Sequence, residues 1–512
     1  MSTTSIAPVL ARRRPAGPPG AERRGIALAL VLCAQLMIIL DLTVVNIALP
    51  NIAGGLHFTP AGLSWVLNAY TLTFGGLLLL GGRAGDILGR RRTFLAGIAL
   101  FTAASLAGGL ATSAAWLLAA RAAQGVGGAI ASPAVLALIT SSFSEGRERA
   151  KALGIYTAVA MGGGSLGLVL GGVITEWVSW RWVLFINVPI GIAVLILAPR
   201  VLDESARQPG RFDIAGALTS TAGMSLLVYG FVRVASDGWS DTMAIGAFAV
   251  AAVLLGLFLL NEARVPQPIT PLRLFADRGR AGSYLARLLI VAGMFGMFFF
   301  LTQFLQDVLG FSPLRAGVAF LPMTVALFGI SRLSGQLMAR FPARVLMIAG
   351  MLPVVAGMAW LSRIAPGTGY EAGVLGPMLL IGSGMGVVFV PLTMASLGGV
   401  RPAEAGAASS MVNVTQQVGG SLGLAILVTV FSSAHRTALA HGAGHPLRAE
   451  VHAMASAFTA AAVFDVLALL VVTLVIGGAL GARRTAERAE PERLSPAPAG
   501  QERLSPAGAD QA

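Results

Sequence analysis

Two opposite charges lie within apolar runs of this 512-residue chain. Asp41 stands in Leu40-Asp41-Leu42-Thr43-Val44-Val45-Asn46, and Arg121 stands in the segment Leu117 to Gly128 together with Gln124. A charged side chain inside a lipid-spanning helix costs about 2.5–3.5 kcal/mol or more, and is retained mainly where it meets a partner or a polar cavity. Asp41 is about seven residues, or roughly 10 Å, from one end of its run, and Arg121 about six residues, or roughly 9 Å, from the matching end of its own. The two charges are therefore expected at one depth, facing one cavity. Arginine favours the charged form of the carboxyl and burial the neutral form. That competition is what proton exchange at a carboxylate needs, with Asp41 as the proton carrier and Arg121 as its electrostatic partner. A static structural ion pair is the alternative reading of the same residues.

Other polar groups interrupt the apolar runs. Asp465 is a second candidate proton site, against the alternative of a carboxyl kept neutral by hydrogen bonding. Asn46, Gln124, Asn413 and Gln417 are candidates for the wall of a substrate cavity. Asn413 and Gln417 have the alternative role of hydrogen-bonding a neighbouring helix. Four of the five histidines, His435, His441, His445 and His452, fall in one stretch broken by Gly442, Gly444 and Pro446. That stretch is expected to be a solvated loop rather than a metal site, because the breakers prevent a regular ligand-bearing helix.

Long apolar helices must position these groups. Hydrophobic residues make up 55% of the chain and charged residues only 12%, against about a quarter charged in a soluble domain. Apolar stretches of about 20 residues, the length of one bilayer span, recur throughout. Fourteen spans are expected, near 26–48, 62–80, 93–112, 115–141, 152–174, 182–200, 213–235, 242–262, 282–306, 314–338, 343–362, 372–397, 404–431 and 456–481. The fold class is thus an all-α polytopic membrane protein. Cys33 is the single cysteine, so an intrachain disulfide or a cysteine metal cluster is excluded.

Arginine sets the orientation. Of 36 basic residues, 27 fall in the two tails and the loops after even-numbered spans, six in the opposite loops, and three, Arg121, Arg287 and Arg332, inside spans. Both termini are therefore expected in the cytoplasm, with Arg287 and Arg332 close enough to span ends to snorkel. The net charge of +13 is accounted for by a surface beside anionic lipid headgroups, without nucleic acid. Residues 1–25 read as a disordered basic tail, and 482–512, where Glu-Arg-Leu-Ser-Pro-Ala occurs twice, as a second disordered tail.

The loop after the second span reads Gly82-Arg83-Ala84-Gly85-Asp86-Ile87-Leu88-Gly89-Arg90-Arg91-Arg92. Glycines permit a tight turn, and Asp86 can pair with a nearby arginine or sit at a helix N-terminus. Gly335 to Arg344 echoes it, which points to a parallel repeat of two six-helix units, 26–200 and 282–481. Residues 213–262 would be an inserted helix pair and 263–281 a cytoplasmic linker. In the fifth span, Gly163, Gly167 and Gly171 lie four apart and form one low ridge for close helix packing.

Gly82 to Arg92 resembles the loop motif of the major facilitator superfamily, with Gly82, Asp86, Gly89, Arg90 and Arg91 as its conformational residues. Leu117 to Gly128 resembles that family's fourth-helix motif, and Leu40 to Pro50 its first-helix motif in drug:proton antiporters. Trp180 to Gly191 is similar to a signature of the 14-spanning drug:H⁺ antiporter-2 branch. The resemblance implies the major facilitator fold, two six-helix bundles plus two inserted helices. It also implies a proton-coupled exporter of amphipathic small molecules such as drugs or antibiotics, working by alternating access. No cofactor is implied beyond the proton gradient. The implied partners are a small-molecule substrate, protons and the lipid bilayer, with a monomer in the cell membrane.

The chain departs from that pattern in three places. Ile87 replaces a basic residue of the loop motif. Gly163-Gly164 and Gly167-Leu168 stand where the antiporter motif of the fifth helix has Gly-Pro pairs, which keeps metabolite uptake or facilitation open. The tenth span carries no acid of the kind found in dication exporters. The sequence shows no metal-ligand spacing, nucleophile elbow or phosphate loop of a membrane enzyme.

Overall fold

A computed structural model of the chain describes residues 21–143, 147–204, 212–400, 405–441 and 446–476. Most of both expected tails, and His445, lie outside the described residues. Every regular element among the described residues is helical. The long helices are α1 (Ala21–Leu56), α2 (Trp65–Leu88), α3 (Arg90–Gly109), α4 (Ala114–Ser142), α5 (Arg147–Trp177), α6 (Asn187–Val201), α7 (Ile214–Asp237) and α8 (Thr242–Arg264). They continue with α9 (Arg278–Gln303), α10 (Leu321–Leu337), α11 (Ala343–Leu361), α12 (Gly376–Leu397), α13 (Ala405–Ala440) and α14 (Pro446–Val471). Thirteen helical segments among the described residues are long and apolar enough to cross a membrane. With the 31 residues of the glycine-rich α5, the layout matches the fourteen expected spans.

Polar caps set where several helices begin. Ser113 accepts a hydrogen bond from the Trp116 N–H at 3.3 Å, Asp213 from Gly216 at 2.9 Å, Asp241 from Ala244 at 2.9 Å and Asp277 from Arg280 at 2.9 Å. Each satisfies one of the orphan donors at a helix start, an effect of about 1 kcal/mol.

The packing repeats with an offset of eight helices. α1 packs on α5 and α6, α2 on α4, and α3 on α4 and α6. In the same way α9 packs on α13 and α14, α10 on α12, and α11 on α12 and α14. α7 and α8 pack on each other, and α7 also lies against α2 and α13, one helix from each unit.

Glycine controls how closely these pairs approach. A Cβ at Gly171 would stand 2.8 Å from the Val44 carbonyl oxygen of α1, and one at Gly163 would stand 3.0 Å from Leu36 Cδ1. One at Gly167 would overlap Thr43 Oγ1. Between lipid-embedded helices, where apolar burial gives no net drive, close backbone contact of this kind supplies the attraction. The second unit repeats the device. A Cβ at Gly419 would stand 2.5 Å from the Leu288 carbonyl oxygen, and one at Gly423 would overlap Ala292, both on α9.

Several sequence expectations need correction. Gly82 to Arg92 is not a loop: α2 continues to Leu88, Gly89 alone makes the turn at φ +106°, and α3 begins at Arg90. Only Gly tolerates that φ without strain. The histidine stretch is not one loop either, since His435 lies in α13 and His452 in α14. Arg287 does not snorkel. It is buried, donates to Thr393 Oγ1 at 2.6 Å and lies over the Phe389 ring.

Candidate functional site

α1 and α4 bring Asp41 and Arg121 into direct contact. Arg121 Nη1 donates to Asp41 Oδ2, and both side chains are fully buried. Asp41 Oδ1 accepts from Gln124 Nε2 and from Asn187 Nδ2, each at 3.0 Å. Gln124 also donates to Ser105 Oγ at 2.7 Å. Arg121 donates through Nε to the Val66 carbonyl at 3.0 Å and through Nη1 to Gln124 Oε1 at 3.0 Å. Its guanidinium lies 4.6 Å from the centre of the Tyr70 ring. Five helices of the first unit thus contribute to one polar cluster in an apolar interior, where charge-assisted hydrogen bonds are strongest and an unmatched charge most costly. Sequence reading had not identified Ser105, Asn187 or the Val66 carbonyl as members. The available signal was Asn187 itself, a polar residue inside the apolar Trp180 to Gly191 stretch.

A separate cavity of about 370 Å³ lies between the two units. α1 lines it with Gln35, Ile38, Ile39, Leu42, Thr43 and Asn46, the stripe of one helical face. α9 adds Met294, Phe295 and Phe298, and α13 adds Asn413, Gln416 and Gln417. Asn46, Asn413 and Gln417 therefore lie on the cavity wall, as expected. Asp41, Arg121 and Gln124 do not. At 100° per residue, Asp41 leaves α1 well away from the cavity stripe, so the ion pair sits behind the helix that forms the wall. The expectation of a shared vestibule is corrected accordingly.

The cavity opens toward the arginine-rich end. There it shares Leu78, Ser132, Tyr156 and Asn413 with a wider vestibule of about 690 Å³ that Arg83, Asp86 and Arg90 help to line. At the opposite end the units are sealed. Thr302 donates to Asn46 Oδ1 at 3.0 Å, Gln306 to the Ile47 carbonyl at 2.9 Å, and the Leu314 N–H to Glu176 at 3.0 Å. Gly172 and Gly317 permit this closure. A Cβ at Gly172 would stand 2.6 Å from the Pro313 carbonyl oxygen, and one at Gly317 would overlap the Leu168 carbonyl oxygen.

The α2–α3 turn ties three helices together. Asp86 pairs with Arg90 at 3.5 Å. Arg90 also donates to the Ala137 carbonyl at the end of α4, at 3.3 Å. Glu204, which follows α6, accepts from the Arg91 N–H at 3.1 Å and caps the start of α3. Arg91 Nη1 donates to the Leu202 carbonyl at 3.0 Å. Gly82 faces Pro133 of α4.

Two further acids lie elsewhere. Asp465 of α14 is fully buried, neither carboxyl oxygen has a hydrogen-bond partner among the described residues, and Gly293 of α9 lies beside it. At the sealed end, Asp241 accepts from Arg233 Nε and Nη2 at 3.0 and 3.1 Å. Those hydrogen bonds hold its carboxyl below the usual aspartate value. The described residues contain no cluster of His, Cys, Asp or Glu able to hold a metal ion.

Comparison with known proteins identifies the family and agrees with the fold. The profile of the Major Facilitator Superfamily matches residues 31–424. The cephamycin export protein CmcT of Amycolatopsis lactamdurans is 44% identical over 455 residues, covering 88% of this chain and 92% of that protein. The puromycin resistance protein pur8 of Streptomyces alboniger is 41% identical over 483 residues, covering 93% and 95%. Among solved structures, a bacterial homolog of the human lysosomal transporter Spinster superposes with a TM-score of 0.65 at 17% identity, over 90% of this chain and 99% of that one. The fold is shared with that structure, and the chain is a multi-pass membrane protein that belongs to the major facilitator superfamily.

Proposed function

We propose that this protein exports amphipathic, antibiotic-like small molecules from the cytoplasm in exchange for protons. Its relatives are cephamycin export and puromycin resistance proteins over nearly their whole lengths. The observation that carries the coupling is that one helix serves three features. α1 holds Asp41 against Arg121 on one side, lines the cavity on another, and closes the sealed end through Asn46. Asp41 and Asn46 are five residues apart, or about 7.5 Å along the helix.

Protonation of Asp41 removes the charge that holds Arg121, freeing α1 to shift against α4. The same shift disturbs Asn46 and the seal. Proton occupancy is thereby coupled to which end is open, and the two units rock about the central cavity. Asp465, buried without a hydrogen-bond partner among the described residues, is proposed as a second proton site. The arginine-rich end is assigned to the cytoplasm by the basic bias, so the conformation described is open inward. Residues 26–200 and 282–481 act as the two moving units, with 213–262 as the inserted pair. A monomer in the cell membrane, driven by the proton gradient without a cofactor, completes the reading.

The test is accumulation of a panel of labelled antibiotics in cells with and without the protein. Lower accumulation that a protonophore abolishes is expected for at least one compound. Higher accumulation in expressing cells, or export indifferent to the protonophore, would overturn the proposal.

A further inference from the structure

Among the described residues, the cavity wall carries no charge and two amides that each have an unpaired atom. No Asp, Glu, Lys, Arg or His among them lines it. Gln35 of α1 is 6% exposed and its Oε1 has no hydrogen-bond partner among the described residues; Gln417 of α13 is 5% exposed and its Nε2 has none among them. The unpaired atoms themselves have almost no accessible surface, but both side chains line the cavity, and an amide turned end for end offers either its oxygen or its nitrogen, so two such amides from opposite units point to a ligand that pairs with both. Gly75 of α2 seats the second: a Cβ there would stand 2.6 Å from Gln417 Cβ, so only glycine lets α13 come this near. Phe74, Phe295 and Phe298 supply apolar walls between the amides.

We infer that the cavity selects uncharged solutes carrying both a carbonyl and an N–H or O–H group, held between the amides of Gln35 and Gln417, and rejects solutes with a fixed charge. An amide can donate or accept, so the two glutamines accommodate a ligand in either sense. A fixed charge would enter a site with no counter-charge, since the nearest carboxylate of α1, Asp41, is already bound by Arg121 behind the wall. Burial of an unpaired charge is the larger penalty. This inference rests on the transporter reading and specifies its substrate class.

The test is equilibrium binding to the purified full-length protein in lipid nanodiscs, without a gradient. The probes are neutral chloramphenicol and linezolid, anionic chloramphenicol succinate and the permanent cation ethidium. Wild type is expected to bind at least one neutral amide at least 10-fold more tightly than either charged probe. Gln35→Leu and Gln417→Leu are each expected to weaken neutral binding about 10-fold. Gln417→Glu is expected to gain ethidium binding, a result that misfolding cannot produce. Charged probes bound as tightly as neutral ones, no neutral amide bound, or unchanged affinity in both Leu variants would overturn the inference. Binding is read without transport, so retained neutral binding with absent pumping would support the cavity assignment and sink only the exporter reading.

Discussion

Removal of the Asp41 charge is the most demanding test of the buried cluster. In Asp41→Asn, the new carbonyl oxygen can still accept from Gln124 and Asn187, which now reach Oδ1 at 3.0 Å. The Arg121 guanidinium, with no solvent exposure, loses its only carboxylate among the described residues. Breaking a buried pair from one side costs about 3–5 kcal/mol, or about two to three and a half decades in the folding equilibrium at 1.4 kcal/mol per decade. Arg121→Gln should also be destabilising, because it strands the carboxylate. The double variant removes both charges and should cost little more than either single one, so the cycle should return a coupling of about 3–5 kcal/mol. The assay is reversible unfolding in mixed micelles by detergent titration, followed by tryptophan fluorescence. Costs that add to within about 0.5 kcal/mol would refute the argument, because independent sites behave that way.

Four further outcomes follow from the geometry. Gly171→Ala on the α5 ridge should cost about 1–3 kcal/mol, because a Cβ meets the Val44 backbone. Gly163→Ala should be milder, since it meets flexible ends of Leu36 and Ile39; thermal unfolding would rank the two. Gly167→Ala should lose transport and regain only part of it with Thr43→Ala, which removes the overlapping hydroxyl but leaves the Thr43 Cβ 2.9 Å from the new one; drug resistance of expressing cells reads this out. Gly89→Ala should cost about 1–3 kcal/mol for its positive φ with extended ψ and crowd Glu204 Oε1, 2.5 Å from the new Cβ, lowering the melting temperature. The Asp241 carboxyl is depressed by Arg233, so its contribution to holding α7 against α8 is present above pH 3.8 and lost as pH falls through its lower folded value. The protection factor of amides at the start of α8, which takes out the intrinsic pH dependence of exchange, should hold at pH 5 and fall only in stronger acid, and a fall already between pH 7 and pH 5 would contradict this.

Much of the fold was legible because lipid leaves helices no alternative. Span length follows from that constraint, and the arginine bias adds an orientation. The depth match of Asp41 and Arg121 was readable from 1.5 Å per residue. What it did not give was rotation about the helix axis, and that error placed Asp41, Arg121 and Gln124 on the cavity. The polar stripe of Gln35, Thr43 and Asn46 held the correction, since residue 41 falls off that face. Asn187 and Ser105 were missed because short polar side chains in apolar helices more often bond their own backbone. Gly82 to Arg92 was misread as a loop because arginine density marks the edge of the lipid, and α2 carries on beyond that edge to Leu88.

The central claim is that proton occupancy of Asp41 sets the direction in which the protein opens. Proteoliposomes holding a pH-sensitive dye in the lumen test it most directly, on adding an exported compound at the cytoplasmic face under an acid-inside gradient. Wild type should release lumenal protons in step with uptake of the compound, while Asp41→Asn binds the compound and moves no protons. Equal compound-driven proton release by Asp41→Asn would contradict the claim.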